Sequence, residues 1–452
     1  RMTKIRRFDN FQHTFSFTTR AEEFDLFFNR FLEGDLGKIH TAVPWKGLVS
    51  TFGLNDAKKG PTSIFGPQGK IALMFLKHYA GCSDKRLVEQ LNGNIDHQFF
   101  CGIDLGSDRL TNYKIVSEIR CELGKKLNIE QVQQTLFDSW RDHIGDHHSI
   151  VMDATCYESE LRYPTNEKLL WESVDWSYRQ LKAICKVVGT KTPRTKYLKW
   201  KRRNISYSKI RRKTKAKRKG LGRSLLLLLA KIDGELDKLE KSHGLQMPKK
   251  YHQRRSTIKK IYEQQHLIFH TGEKPKDRIV SIGKDYLRPI VRGKEVKPVE
   301  FGAKVNKYQI DGIGFIEHLD FNAFHEGNRF QDTVFKAQRL TRTKTRMAGA
   351  DAIYATNKNR RFATKYKIGT DFKRKGRAGK HEGQRRQMAA LIQKERATRL
   401  EGSFGKEKEH YYLKKIKART KQTETLWIFF GIHTANALEI GRRMASARQK
   451  AA

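Results

Sequence analysis

The sequence predicts an α/β protein with a mixed-sheet core, a helical N-terminal domain and a helical insertion. Three observations carry that prediction. Apolar residues recur at helical spacing through the first third of the chain, the pattern switches near residue 149 to short apolar runs that end in acids, and a long stretch of basic residues and helix formers interrupts those runs. With 452 residues, the chain exceeds what one compact core usually organises, so two or three domains are expected.

Residues 24–32 and 69–91 show the helical period, as in Ile71, Leu73, Met74, Leu76 and Tyr79. Ser83, followed by Asp84 and then by Leu87, Val88 and Leu91, reads as an N-cap that opens an amphipathic helix, and residues 111–123 suggest another. These compose a helical N-terminal domain over residues 1–145. Ser149-Ile150-Val151-Met152-Asp153 is a buried strand whose carboxyl end meets solvent at Asp153, the place where an α/β sheet presents its chemistry. Residues 224–243 and 248–270 are helix formers, with Leu229, Ile232, Leu236 and Leu239 on one face and a break at 244–248, hence a helical hairpin. Residues 278–282, 288–291, 299–308 and 314–319 are β-rich, with turns at Gly293 and at Asp311-Gly312, and suit the antiparallel part of a mixed sheet. Residues 346–350 form a further strand ending at Asp351, 365–369 another, and 384–399 and 400–417 are helical. This order of strand, strands, helix, strand, strand and helix is what a ribonuclease-H-like core requires. The expected division is a catalytic domain of residues 146–190 and 275–440, an insertion of 191–274 and a tail of 441–452.

Charge points to the partner. With 92 Lys and Arg against 48 Asp and Glu, the formal charge is +44, which a polyanion would neutralise. A hydrophobic share of 38%, with 26 Phe, 15 Tyr and 6 Trp, implies real cores rather than a disordered basic chain. Cys82, Cys101, Cys121, Cys156 and Cys185 contain no C-x-x-C pair and are odd in number, which suits a reducing cytoplasm. The longest apolar runs, 225–230 and 426–432, are far short of the roughly 20 residues that span a bilayer, and the basic N-terminus has no apolar signal core. No membrane and no export are expected. Residues 191–223 hold 16 Lys or Arg and no acid, interleaved with Tyr197, Trp200 and Tyr207. A solvated loop would explain the charges alone; charges mixed with aromatics are better explained by a surface that tracks phosphates and stacks on bases or sugars. Lys199, Trp200, Lys201, Arg202, Arg203, Arg211, Arg212 and Lys213 are its candidate DNA contacts.

Phosphodiester cleavage needs an activated nucleophile and a stabilised leaving oxygen, and two magnesium ions about 3.5–4 Å apart supply both. Magnesium takes hard carboxylate oxygens and few protein ligands, so three acids from separate elements suffice. Any chain has many acids, so their contexts must decide. Asp153-Ala154-Thr155 is followed by Tyr163-Pro164-Thr165-Asn166 and Leu169-Leu170. Asp351 stands between Gly349-Ala350 and Ala352-Ile353-Tyr354. Glu401-Gly402-Ser403-Phe404-Gly405-Lys406-Glu407-Lys408 runs on through Tyr411-Tyr412-Leu413. Upstream, residues 67–105 contain Lys77-His78-Tyr79-Ala80-Gly81-Cys82-Ser83-Asp84 and Gln98-Phe99-Phe100-Cys101-Gly102.

In these motifs the chain resembles the DDE transposases of bacterial insertion sequences, in particular the broad groups called insertion sequence four and five, over most of its length. The resemblance implies that Asp153, Asp351 and Glu401 are the catalytic residues and magnesium ligands, with Mn²⁺ able to substitute. Competing with Asp351 are Asp311, in a turn signal, Asp320, after a β-like run, and Asp332, in a helix-start context. The family's Lys seven residues after the catalytic Glu is Lys408 here; on a helix the two share a face, so that the ammonium can contact a DNA phosphate. The family's Arg four residues before the Glu is replaced by Ala397, flanked by Arg396 and Arg399, of which Arg399 is taken as a candidate DNA contact, and Asn166 stands where the family often has Asp. Pro298-Val299-Glu300-Phe301-Gly302-Ala303-Lys304 resembles a structural strand, and Glu300 is assigned no role.

The implied function is a DNA transposase that binds the terminal inverted repeats of its element, cleaves the ends by two-metal hydrolysis and joins the 3′-hydroxyl ends to target DNA. It would work as a homodimer on double-stranded DNA, at the nucleoid of a bacterial cytoplasm, with the N-terminal helices binding DNA and dimerising. A transposase-derived DNA-binding protein that no longer cuts, and a ribonuclease-H-like nuclease of other purpose, are the alternatives. His266 to His270, followed by Thr271-Gly272-Glu273-Lys274-Pro275, mimics the end of a zinc finger, but no Cys pair stands upstream, so helix termination explains it. Cys156 has no His placed to serve it and is read as structural.

Overall fold

The computed structural model describes residues 20–56, 63–291 and 298–451; the turn expected at Gly293, and residues 1–19 of the expected N-terminal domain, lie outside them. The first described part is helical: α1 (Arg20–Glu33), α2 (Asp35–Ala42), α3 (Trp45–Thr51), α4 (Pro67–Ala80), α5 (Asp84–Gly93), α6 (Ile95–Cys101), α7 (Lys114–Lys126) and α8 (Ile129–Trp140). Ser83 Oγ accepts from the Arg86 N–H, as its sequence context predicts, and Asn94 and Asn128 cap α6 and α8 in the same way. Gly81 and Gly102, both left-handed, end α4 and α6.

The chain then enters β1 (Ser149–Glu158), leaves it for α9 (Asn166–Val188), α10 (Tyr197–Lys209), α11 (Lys215–Ser242) and α12 (Lys249–Thr271), and returns as β2 (Pro289–Val291), β3 (Val299–Ile310) and β4 (Ile313–Asp320). After α13 (Phe330–Thr341) come β5 (Met347–Ala350), α14 (Asn357–Lys365), β6 (Gly369–Thr370), α15 (Glu382–Glu395), α16 (Glu401–His410) and α17 (Lys421–Ala451). In the mixed sheet β3 pairs β1, β1 pairs β5 and β5 pairs β6, while β4 and β2 both pair β3. β1 is antiparallel to β3, with Asp153 opposite Lys307, and parallel to β5, with Met152 opposite Ala350.

Four expected elements differ. β1 does not end at Asp153 but runs on to Glu158, because its antiparallel ladder with β3 continues after the pairing with β5 stops. Residues 278–282 are not a strand: Gln264 of α12 takes the Ile279 N–H on its side-chain oxygen and donates to the Asp277 carbonyl, so side-chain bonds replace a ladder. The strand expected at 365–369 shrinks to β6, because α14 runs to Lys365 and Lys367 turns with φ +55°. The helix expected over 400–417 ends at His410, and Tyr412 turns with φ +61°.

α17 explains how the helical part and the sheet share one core. Leu426, Ile428, Phe430, Ile432 and Leu438 are buried with residues of α4, α8 and β4 in one hydrophobic cluster, so α17 is buried almost all round from Leu426 to Gly441. Its Asn436 brackets Gly314 of β4, accepting from the N–H at 3.1 Å and donating to the carbonyl at 2.7 Å. Gln133 of α8 does the same to Ile316, at 2.7 and 3.0 Å. Amide side chains thus satisfy the outer edge of β4 that another strand would otherwise seek. Residues 441–451, expected as a tail, are the last turns of this helix, and Gly441 lies so close to α2 that a Cβ there would stand 2.3 Å from the Lys38 carbonyl oxygen.

The insertion has its own core, with Leu170, Val174 and Leu181 of α9 against Leu225, Leu229 and Ile232 of α11 and Ile258 of α12. α9, which falls in the segment expected to be catalytic, therefore packs with the insertion. Buried Arg255 of α12 pairs with Asp233 at 2.9 Å, Asp237 at 2.8 Å and Glu240 at 2.6 Å, joining α12 to α11. Arg255→Met leaves these carboxylates facing each other and is expected to cost about 3–5 kcal/mol, seen as a lower urea midpoint by circular dichroism.

Candidate active site

Asp153 and Asp351 each follow the last residue pair of the parallel β1–β5 ladder, Met152 opposite Ala350. A strand spacing of about 4.8 Å sets their backbones side by side. On the β6 side of β5, the Ala350 N–H donates to Asp371 Oδ1 at 3.1 Å. Asp351 Oδ1 then accepts from the Ala352 N–H at 2.7 Å and opens a short 3-10 turn, whose Tyr354 hydroxyl donates to buried Asn306 at 2.6 Å. Asn306 is itself held by Glu317 and Thr333, so the turn that presents Asp351 is anchored in the core. α15 lies tight on this corner: a Cβ on Gly349 would stand 2.2 Å from Ile392 Cγ2.

The pair is electrostatically crowded. Burial first, and then the carboxylates of Glu326 and Asp351, hold the Asp153 carboxyl up at about 6, against the opposing pull of the Ala154 N–H and of Arg396. Glu326, unremarked in the sequence, arrives on the 3-10 turn Glu326–Arg329 and is ion-paired with Lys304 at 2.7 Å.

α16 lies along β1 and runs in the same direction. Leu400, just before it, and Phe404 pack with Val151, Lys408 Nζ donates to Thr155 Oγ1 at 2.9 Å, and the Tyr157 hydroxyl donates to Glu407. Glu407 also pairs with Lys307, fully buried on β3, whose Nζ donates in addition to Ser403 Oγ at 2.7 Å. Burial pushes the Lys307 pKa down while Glu407 pulls it up. A lysine within the β-rich run Val305-Asn306-Lys307-Tyr308 is a weak sequence signal for this clamp.

Glu401 and Lys408 lie on this helix two turns apart, as the spacing of seven predicts. Glu401 is exposed at the start of α16, and among the described residues no group of three or more His, Cys, Asp or Glu is gathered closely enough to hold a metal ion. The structure therefore brings Asp153 and Asp351 together and leaves Glu401 on the neighbouring helix without closing onto them.

Between α15 and α16 the backbone makes a π turn, Arg396–Leu400, in which the Glu401 N–H donates to the Arg396 carbonyl. A π turn carries one residue more than an α turn. Arg396, not Ala397, therefore stands one turn before Glu401, and its guanidinium contacts Asp351 Oδ1 at 3.1 Å. Counting four residues back along a regular helix misses it. Arg399 is engaged elsewhere, by Asp311 at 2.9 Å and Glu395 at 3.1 Å.

The competing acids are placed apart from this pair. Asp311 sits in the β3–β4 turn at φ +46° with Arg399 and Arg443, Asp320 ends β4 and accepts from the Asn322 N–H at 3.1 Å, and Asp332 pairs with Arg329 at 3.0 Å. His266 and His270 are inside α12, which left-handed Gly272 ends, and Cys156 is buried in β1.

Lys199, Lys201, Arg202 and Arg203 are exposed on α10, and Arg211, Arg212 and Lys213 are exposed just after it. Arg203 lies over the Trp200 ring, 4.9 Å from its centroid. Tyr197 is not part of this surface. It is buried in the insertion, stacks on Tyr178 at 3.9 Å and donates to Asp175 at 2.5 Å, so that aromatic serves the core.

Among the described residues no helix is long and apolar enough to cross a membrane. No curated protein and no solved structure matches the chain. Residues 29–122, from α1 through most of α7, match the family described as a transposase domain (DUF772), and this match supports a transposase, a class whose partner is DNA.

Proposed function

We propose that the protein is a DDE-type transposase that cleaves the ends of its element and joins them to target DNA through Asp153, Asp351 and Glu401. The observation that carries this reading is the juxtaposition of Asp153 and Asp351 where the parallel ladder ends, beside the helix that bears Glu401 and Lys408. The strand succession β4, β3, β1, β5, β6, antiparallel then parallel, is what a ribonuclease-H-like core would have and supports the same reading.

The donor set suits a hard divalent cation: two carboxylates are crowded until one is held above its ordinary range, and Arg396 supplies only part of the counter-charge. Mg²⁺, or Mn²⁺ in its place, would be held by Asp153 and Asp351 with Glu401, and when bound it polarises the scissile phosphate and activates the attacking water or hydroxyl. Lys408, set against Thr155 two residues beyond Asp153, is placed to steady a phosphate of the same strand, and Arg396 orients Asp351. The N-terminal helices and the basic face of α10 would hold terminal inverted repeats, and two copies on DNA would pair the ends, in a bacterial cytoplasm at the nucleoid. The proposed division is residues 1–145 for binding and pairing, 146–190 and 275–440 for catalysis and 191–274 as insertion, with 441–452 following.

The test uses a labelled duplex carrying one end of the element, with Mg²⁺ or with EDTA, and with Glu401→Ala alongside. Nicking at the element boundary that needs Mg²⁺ and disappears in the variant is expected. Retained cleavage in the variant would sink the assignment, and tight binding without any cut by the parent protein would leave a DNA-binding protein only.

A further inference from the structure

Three cavities lie beside one another where the insertion meets the loops that follow β1 and precede β2. The first, about 590 Å³, is walled by the β1–α9 loop, α10 and the start of α11. The second, about 330 Å³, shares Arg162 and Glu172 with it. The third, about 740 Å³, lies between α12 and the segment after it and shares Arg254 and Gly283 with the second. Adjoining at these shared residues, the three together form a groove.

We infer that this groove holds a short single-stranded segment of DNA, its phosphates on the wall cations and a base against the aromatic side chains of the first cavity. Cations outnumber acids in each wall. Of the four acids in these walls, Glu167 meets Arg218 at 3.6 Å, and burial raises the Glu172 pKa. Arg162, Lys250 and Arg419, one or more in every cavity, are exposed, and among the described residues none of them is in an ion pair within 4 Å such as the one that ties Lys284 to Glu424. Arg278 lines the first cavity and donates to Asn166 at 2.8 Å, while its buried Nε–H has no acceptor among the described residues. In the wall of that cavity Tyr163 is 60% exposed, its ring perpendicular to that of Phe301 at 5.7 Å, and it offers an accessible aromatic surface for stacking.

Size selects a single strand. Each cavity is in or near the roughly 300–1,000 Å³ range that encloses one small organic group, a nucleotide rather than a stack of base pairs between two backbones. A cationic track with an aromatic platform is the arrangement by which proteins hold unpaired strands without reading their sequence. The groove also begins in the right place. Arg162 lies four residues beyond Glu158, the end of the strand that carries Asp153. Which strand enters, one displaced from the element end beside the carboxylates, rests on the proposed transposase function; binding of a single strand does not.

The full chain, in EDTA, is titrated into a fluorescein-labelled oligothymidine of about 12 nucleotides and separately into a duplex, by anisotropy. Combining Arg162→Glu, Lys250→Glu and Arg419→Glu is expected to weaken the oligothymidine complex at least about tenfold while changing the duplex complex less than about threefold. Tyr163→Ala should weaken it about fivefold or more. Replacing each of the three cations by Ala should lower the slope of log K against log salt by about 0.7. Arg448→Glu, an exposed position near the end of α17, is the control for net charge. Unchanged oligothymidine binding, a loss no larger per charge than in the control, or an equal loss for duplex and single strand would each overturn the inference. The two proposals fail separately. Absent nicking by the parent protein with groove-dependent binding sinks the transposase alone, whereas Mg²⁺-dependent nicking with groove-independent binding sinks the groove alone.

Discussion

Asp153→Asn is expected to abolish Mg²⁺-dependent nicking, by at least about a thousandfold, and at the same time to raise the melting temperature of the metal-free protein at pH 8. The second half follows from the sign of the Asp153 shift. Its carboxyl sits at about 6 in the folded chain against an ordinary 3.8, so between these values the folded state keeps a proton that the unfolded state has released. Stability therefore falls as pH rises from about 4 to about 6 and stays lower above that, by up to about 3 kcal/mol. An amide removes the charge and with it this loss. Melting curves in EDTA at pH 5 and pH 8 check it: the parent protein should melt several degrees lower at pH 8, and the variant should show little of that difference. Added Mg²⁺ should stabilise the parent at pH 8 and leave the variant nearly unmoved. A variant that melts no higher than the parent at pH 8 would show that the aspartates are not crowded.

Lys307→Met is expected to destabilise the protein by about 3–5 kcal/mol, because it strands the buried Glu407 carboxylate that Lys307 neutralises. Lys307→Met together with Glu407→Leu should recover most of that stability, since a buried ion pair is often replaceable by apolar side chains of similar size. Urea midpoints give both numbers. Nicking separates the roles: the double variant, folded but without the clamp between β3 and α16, should still cut poorly, because Glu401 and Lys408 ride on the helix that Glu407 fastens. Full cutting by the double variant would mean that the clamp serves stability alone.

Much of the candidate site was legible because it depends on local pattern. An apolar run ending at Asp153, a short one ending at Asp351 and a Glu-to-Lys spacing of seven are properties of neighbouring residues, and the structure has a strand, a strand and a helix there. Arg396 was not legible, because the π turn that aligns it with Glu401 leaves no mark in a pattern read at 3.6 residues per turn. Glu326 and Lys307 were missed for another reason: they come from elements far along the chain, and only packing sets them near Asp153. Tyr197 shows the converse error, since a tyrosine among lysines looks exposed until α9 is folded against it.

What the sequence by itself determined is the kind of chain this is: helical at first, then mixed in α and β, strongly basic, with acids at the ends of two apolar runs. Period, caps and charge act over a few residues and need no partner. Only the tertiary structure decided that α17 joins the helical part and the sheet in one core, that amides from α8 and α17 close the β4 edge, and that Asp153 and Asp351 stand side by side while Glu401 stays apart. Those are contacts between segments far apart in the chain, such as Gln133 with His433, 300 residues distant, and burial and ladder register, not local propensity, select them.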